Sequence, residues 1–222
     1  MILSYADNLL RAGPSLTDEP PSTSRLLQLG GLIVLFGMTY GALMGTFTGV
    51  FGRQWLQILY SAVKVPLLLG GTFIIALPSF FVINTLFGLR EDFAAALKAL
   101  AATQAGLTLI LASLAPFTVL WYASCSDYHA AILFNAAMFG IASVSSQWLL
   151  RRLYRPLILK RPRHRSLLLV WLGIYAFVGI QMAWVLRPFI GNPGQPTHFF
   201  RQQAWGNAYV RLASMIWRVL GG

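Results

Sequence analysis

Five long runs of the sequence contain no Asp, Glu, Lys or Arg, and these runs constrain the fold more than any other feature. Each run holds the ~20 residues that a helix needs to cross about 30 Å of hydrocarbon. Strands are excluded because barrel strands alternate apolar and polar residues, whereas these runs are continuously apolar. The sequence therefore predicts an all-α, polytopic membrane protein whose five transmembrane helices cover residues 26–52, 65–89, 99–126, 128–150 and 166–186.

The composition excludes most other classes of protein. Charged residues make up 10% of the chain and apolar residues 57%, whereas a soluble domain is roughly 25% charged. So few charges cannot cover the surface of a soluble enzyme, and so apolar a chain is not a disordered tail. The lone cysteine, Cys125, excludes an intrachain disulfide and a metal site built from cysteines.

The positions of the basic residues predict how the chain is oriented in the membrane. Of the 17 Lys and Arg residues, eleven lie on the side of the N-terminus and of residues 151–165. The side richer in Lys and Arg is normally cytoplasmic. We therefore expect a cytoplasmic N-terminus and an extracytoplasmic C-terminus.

The predicted spans divide the chain into three parts. Residues 1–26 form a cytoplasmic segment with an interfacial helix near its start, and residues 27–190 form the five-helix transmembrane domain. Residues 191–222 form an extracytoplasmic loop and an amphipathic helix, because apolar residues recur there at spacings of three and four. The apolar segment Gln54–Val63, bounded by basic residues, is also expected to lie flat at the interface.

Span one carries a glycine at every fourth position: Gly37, Gly41, Gly45 and Gly49. A row of glycines on one helix face lets another backbone approach closely, which is how small residues pack helices in lipid. The row could serve internal packing, with the alanine series of span three as the natural mate. The alternative to this simpler role is an interaction face for a partner or a second copy of the chain.

Side-chain amides are few within the spans. The usual role of such amides is hydrogen bonding between helices. An alternative is that Asn84, Gln104, Asn135 and Gln181 line a polar path through the membrane. No carboxylate lies deep in any predicted span, which argues against a proton-coupled carrier.

A dense basic run follows span four, and it consists of Arg151, Arg152, Arg155, Lys160, Arg161, Arg163 and Arg165. Its simplest role is to determine topology. The alternative is that it contacts anionic lipid headgroups or an acidic cytoplasmic partner, at about 1 kcal/mol for each basic residue near the surface.

Two groups of charges could form sites. Lys64, Asp127 and Arg187 are expected together at the outer rim, with Asp127 paired to one of the two cations, because an isolated carboxylate near lipid is costly. Glu91 and Asp92 precede an alanine-rich helix, where acids suit the positive end of the helix dipole. The less expected interpretation of these two acids is a metal or acid–base site.

The stretch from Tyr175-Ala176-Phe177 through Leu186-Arg187-Pro188-Phe189 is a distinctive motif, and weaker motifs extend over roughly residues 30–210. These motifs resemble those of an uncharacterised family of bacterial multi-span membrane proteins, often labelled actin-binding. The resemblance implies that the membrane is the bacterial inner membrane. It implies no established activity. The layout of five spans with the N-terminus inside also resembles that of the Ypt-interacting protein (Yip) family of membrane-shaping and trafficking proteins.

Together these features predict a non-catalytic membrane scaffold or complex subunit, without metal or cofactor. The expected partners are the lipid bilayer, anionic headgroups, and other membrane proteins or further copies of the chain, but not nucleic acid. The alternative is a small transporter or channel that uses the four amides of the polar path. A third class is a lipid-acting enzyme at the outer rim around Asp127.

Overall fold

A computed structural model describes residues 9, 23–49, 55–192, 196–200 and 209–210. Helix is the regular secondary structure of these residues. Five long helices form the fold, and each is long and apolar enough to cross a membrane. They are α1 (Thr23–Gly45), α2 (Trp55–Leu86), α3 (Phe93–Ser124), α4 (Tyr128–Lys160) and α5 (Arg163–Leu186). The predicted all-α fold with five spanning helices is therefore confirmed for the described residues.

The helices run past the charge-free segments and include charged residues near their ends. α2 contains Lys64, α3 contains Lys98, and α4 continues to Lys160. Helices of 32 or 33 residues are about 48 Å long, so their ends project beyond about 30 Å of hydrocarbon. The flat segment expected at Gln54–Val63 is wrong from Trp55 onward, because these residues form the first turns of α2.

The helices form an open arrangement around α1. α1 packs along both α2 and α3, while α4 packs along α3 and α5 packs along α2. Contact between α4 and α5 is limited, although they follow each other in sequence. The turn from α2 to α3 and the turn from α4 to α5 lie at the same end of the bundle, which we call the basic end.

Glycines of α1 bring its backbone close to α2. A Cβ atom built on Gly41 would collide with the backbone of Ser61, and one on Gly45 would lie 2.7 Å from Ile58 Cα. Gly37 approaches the same helix less closely, at 3.3 Å. These glycines therefore serve internal packing, since any side chain at Gly41 or Gly45 would push the two helices apart.

The expected alanine mate of the glycine row is wrong, because α2 occupies that face of α1. The alanines of α3 between Ala96 and Ala105 are instead buried in a core cluster that includes Leu150 of α4, and Gly106 lies directly against Leu149. Gly49 is not part of the close contact. It lies beyond the 3₁₀ turn Thr46–Thr48, is exposed and has a φ of 101°.

The expected interfacial helices at the two ends of the chain lie mostly outside the described residues. Of the first segment, Leu9 is helical and buried in the same core cluster as Leu29. Of the last segment, Tyr209 and Val210 are helical. The Tyr209 ring stacks on Phe177 of α5, with centroids 4.5 Å apart.

Candidate functional site

A tight turn after α2 forms one half of the basic end. The N–H of Leu89 donates to the Asn84 carbonyl and the N–H of Gly88 donates to the Thr85 carbonyl. This is the Schellman pattern, which needs a left-handed residue just after the helix. Gly88 supplies that conformation, with a φ of 70°. The turn leads directly into the 3₁₀ segment Arg90–Asp92.

Asp92 is the centre of a charged network at the basic end. Its side chain is 5% exposed, and Lys160 Nζ donates to Asp92 Oδ1 over 2.6 Å. Nε2 of the fully buried His164 lies 3.3 Å from Asp92 Oδ2. Asp92 therefore joins the start of α3 to the end of α4 and the start of α5, whereas its side chain does not cap α3.

Arg161 joins the two turns a second time. Its guanidinium donates to Glu91 Oε2 over 2.8 Å and to the Gly88 carbonyl over 3.2 Å, and its Nε lies 3.7 Å from Asp92 Oδ2. The Glu91 side chain is largely exposed, at 79%. Exposed pairs of this kind contribute less than about 1 kcal/mol, so Asp92 is the energetically important acid of the two.

The basic run from Arg151 to Arg165 is not a loop. Its first part is the last turns of α4 and its end is the first turn of α5, so that only Arg161 and Pro162 lie between the helices. Lys160 and Arg161 pair with the chain's own acids. The other cations of the run are exposed and make no ion pair with any described residue: Arg151, Arg152, Arg155, Arg163 and Arg165.

Buried polar atoms surround the Asp92 carboxylate. The rings of Tyr154 and His164 meet edge to face with centroids 5.7 Å apart. The Tyr154 hydroxyl and His164 Nδ1 are both buried and have no hydrogen-bond partner among the described residues. No role was assigned to His164 or to Tyr154 from the sequence. Their separation from Asp92 in the sequence left no local signal that these residues meet.

At the opposite end of the bundle, three polar side chains of α2 hold the segment that follows α5. Gln57 Nε2 donates to the Phe189 carbonyl over 3.1 Å, and the Ser61 hydroxyl donates to the same oxygen. Lys64 Nζ donates to the Pro188 carbonyl over 2.6 Å. We call Gln57, Ser61 and Lys64 the α2 anchor. Their spacing of four and three places them on one helix face, a signal that the sequence contained.

Lys64 is fully buried, yet carbonyl oxygen and aromatic rings surround its ammonium group. Its Nζ lies 4.9 Å from the centre of the Phe199 ring and 5.9 Å from that of Tyr60. Ring faces carry negative charge density and attract cations. No carboxylate of the described residues lies within ion-pair distance of Lys64.

The predicted ion pair of Asp127 with Lys64 or Arg187 is wrong within the described part of the chain. The Asp127 carboxylate instead caps α4, accepting from the N–H groups of His129 over 2.7 Å and of Ala130 over 3.0 Å. These local donors are present whenever the helix forms, so no distant cation is needed. The N–H groups of Ala130 and His129 hold the pKa of Asp127 below its usual range.

Arg187 packs against its own helix end. Its guanidinium lies 3.4 Å from the centre of the Trp184 ring, and its Nε lies 3.5 Å from the Trp184 carbonyl oxygen. The three residues of the expected outer-rim cluster therefore perform different local tasks: Lys64 holds the segment after α5, Asp127 caps α4, and Arg187 covers Trp184.

The amides of the predicted polar path differ from one another. Asn135 is fully bonded: it accepts from the Tyr40 hydroxyl, donates to the Tyr122 hydroxyl and donates to the Ala131 carbonyl. Its network connects α1, α3 and α4. Asn84 is completely buried, and neither of its side-chain polar atoms has a hydrogen-bond partner among the described residues; the same holds for Gln104 Nε2.

No family model, no curated protein and no solved structure matches this chain. The family resemblances given above therefore stay predictions, and what the chain does is argued from its own residues.

Proposed function

We propose that this chain is a non-catalytic integral membrane scaffold or a subunit of a membrane protein complex, with its basic end in the cytoplasm. One observation carries the proposal: three buried polar side chains join the chain's own segments. Asp92 joins the two turns of the basic end, Lys64 joins α2 to the segment after α5, and Asn135 joins three helices. A bundle tied in this way is suited to presenting fixed outer surfaces.

Two surfaces are suited to contact other molecules. Arg151, Arg152 and Arg155 are exposed near the basic end of α4, without acidic partners among the described residues. Such a group attracts an acidic partner or anionic headgroups. α5 packs mainly on α2, and its outward side exposes large apolar residues such as Phe177 and Ile180, which suits packing against another membrane helix.

Copurification with a matched set of variants tests this proposal. The full chain, extracted in mild detergent, should be isolated with a membrane protein at a fixed ratio. Replacement of Arg151, Arg152 and Arg155 together by Glu should lower that ratio at least tenfold, because charge repulsion replaces attraction. Replacement of the same three residues by Lys keeps the charge and should preserve most of the partner.

A chain that elutes alone, without a partner at a fixed ratio, would contradict the scaffold proposal. Equal recovery of the partner with the Glu and Lys triple variants would show that this group of arginines is not the contact.

A small transporter or channel is the second candidate, and the unpaired amides favour it. Gln104 lies roughly 17 Å along α3 from the basic end, at 1.5 Å per residue, which is about one third of the length of this helix. The buried hydroxyls of Tyr175 in α5 and of Thr72 in α2 also have no hydrogen-bond partner among the described residues. Solute flux into proteoliposomes that is lost in Gln104→Leu but kept in Gln147→Leu would favour transport over scaffolding.

A further inference from the structure

Two adjoining open depressions lie on the surface of the basic end, and they share Gly88 and Arg161. One is also lined by Arg90 and Glu91, and the other by Lys160 and Arg163, among others. Most of the side chains that line them are therefore cationic. The turn glycine leaves their floor free of a side chain, so its backbone is accessible from outside.

The guanidinium groups converge on this glycine. Arg161 donates to the Gly88 carbonyl. Nη1 of Arg163 lies 3.9 Å from the position that a Cβ of Gly88 would occupy, so the Arg163 guanidinium lies beside the glycine. Arg90 follows two residues later and is exposed. Three arginines from two different turns thus border one small surface.

This surface carries more positive than negative charge. Arg161 is paired with Glu91, and Lys160 is paired with Asp92. Arg90 and Arg163 make no ion pair with any residue that the structure describes. Two guanidinium groups with free donors therefore remain, and their planar forks match the oxygens of phosphate better than an ammonium group does.

Two exposed leucines are close in sequence to residues that line the cationic surface. Leu86 is 78% exposed and stands two residues before Gly88, while Leu159 is 74% exposed and precedes Lys160. A soluble phosphate compound gains nothing from apolar neighbours. A phospholipid places its phosphate and its acyl chains side by side at the interface, so both kinds of surface would be used at once.

We propose that the surface around Gly88 binds the phosphate group of an anionic phospholipid, with Arg90 and Arg163 as the ligands. Arg161 has a positioning role, because it ties the two turns together and so sets the spacing of the other two arginines. The inference rests on the proposed membrane embedding, but it does not require the scaffold role.

Native mass spectrometry of the full chain in mild detergent tests the site with phosphatidylglycerol as the probe. The unmodified chain should hold one phosphatidylglycerol more tightly than any phosphatidylcholine. Arg90→Gln with Arg163→Gln should weaken this binding roughly 25-fold, at about fivefold for each basic residue near an anionic surface. The single variants Arg90→Gln and Arg163→Gln, at about fivefold each, keep the test valid if the double variant does not fold.

Arg165→Gln is the matched control for the single variants, since Arg165 is exposed in the same first turn of α5 as Arg163 and does not line the depressions. This control should retain the tight phosphatidylglycerol. Equal weakening in Arg163→Gln and Arg165→Gln would overturn the proposal, because it would show general charge attraction rather than a site. Unchanged binding in the Arg90 and Arg163 double variant would also overturn it.

Competition with inorganic phosphate shows whether the surface binds a lipid headgroup or free phosphate. Phosphate at millimolar concentration should not displace the bound phosphatidylglycerol, because it lacks acyl chains to contact the exposed leucines. Displacement would show that the surface takes free phosphate and would overturn the lipid assignment. If no partner copurifies with the chain while phosphatidylglycerol binding persists, the scaffold proposal fails but the lipid site is still supported.

Discussion

The two ends of the bundle both hold a buried charged group, and they stabilise it in different ways. At the basic end, the buried carboxylate of Asp92 is surrounded by cationic side chains from the opposite turn. At the other end, the buried ammonium of Lys64 meets a backbone carbonyl and aromatic rings, with no carboxylate of the described residues in reach. The first end is held by ion pairs and the second by neutral acceptors.

This difference indicates which end can respond to its surroundings. Ion pairs near a surface weaken with added salt and depend on both partners being charged. A hydrogen bond from Lys64 to a carbonyl oxygen needs one charged partner only. We therefore expect the basic end to depend on ionic conditions and bound anions, and the α2 anchor to be insensitive to both.

The largest expected effect is at Asp92. Asp92→Asn leaves Lys160, Arg161 and His164 facing a neutral amide, and loss of the charge-assisted hydrogen bonds of a buried carboxylate costs about 1.5–3 kcal/mol of unfolding free energy. Glu91→Gln is the neighbouring control, and it should cost less than about 1 kcal/mol because its pair is exposed. Chemical denaturation in mixed micelles measures both. Equal losses of unfolding free energy in Asp92→Asn and Glu91→Gln would contradict the stronger role of the buried acid.

The contact between α1 and α2 should give the next largest effect. Gly41→Ala places a methyl group against the backbone of Ser61, an anchor residue, and overpacking of this kind costs about 1–3 kcal/mol. Gly31→Ala on the same helix is the control, since a Cβ there meets no atom within 4 Å. The same denaturation assay should show no loss for Gly31→Ala. A Gly41→Ala protein of unchanged stability would mean that α1 and α2 are not in this close contact.

The five spans and the glycine row show which features of the fold could be predicted from the sequence and which could not. The five spans could be predicted because charge is costly in lipid wherever it falls, so runs free of charge reveal them. The glycine row predicted a close backbone approach but not the helix that makes it. Any neighbouring helix with small side chains opposite Gly41 could have packed against it. In the structure, the contact is with the backbone of Ser61.

The candidate site could not be predicted, since its members are distant in sequence. Asp92 was interpreted as a favourable helix N-terminus from its local position alone, whereas its partners begin at Lys160. Asp127 was assigned a distant cation although its position before α4 is that of an N-cap, where local N–H groups are available. Local capping chemistry was the signal that this prediction overlooked.

Replacement of Lys64 should have a smaller effect than replacement of Asp92. Lys64→Met removes a charge-assisted hydrogen bond but also removes the cost of burying an ammonium group, so the net loss should be about 1 kcal/mol. Arg155→Met, at an exposed and unpaired cation, should leave stability unchanged. The Lys64→Met loss should be the same at low and high salt. A loss that disappears at high salt would show that Lys64 is held by ion pairing, as Asp92 is.

The smallest effect is expected at the α4 cap, and it should depend on pH. The pKa of Asp127 is lowered in the folded protein by backbone N–H donors, so its stabilisation is present above the unfolded pKa of about 3.9. It is lost as the pH falls through the folded pKa. Asp127→Asn should therefore lower the melting temperature slightly near neutral pH, and this difference should shrink below pH ~4. A difference that grows in acid would contradict the cap.

Thiol labelling of intact cells that express the chain tests the central proposal, that five helices cross the membrane with the basic end inside. The natural Cys125 lies between α3 and α4, at the end opposite to Ser166 near the start of α5. A membrane-impermeant maleimide should label Cys125 in intact cells. In the Cys125→Ser, Ser166→Cys variant it should label the new thiol only after the membrane is permeabilised. Labelling of position 166 in intact cells, or of both positions from the same side, would contradict the account.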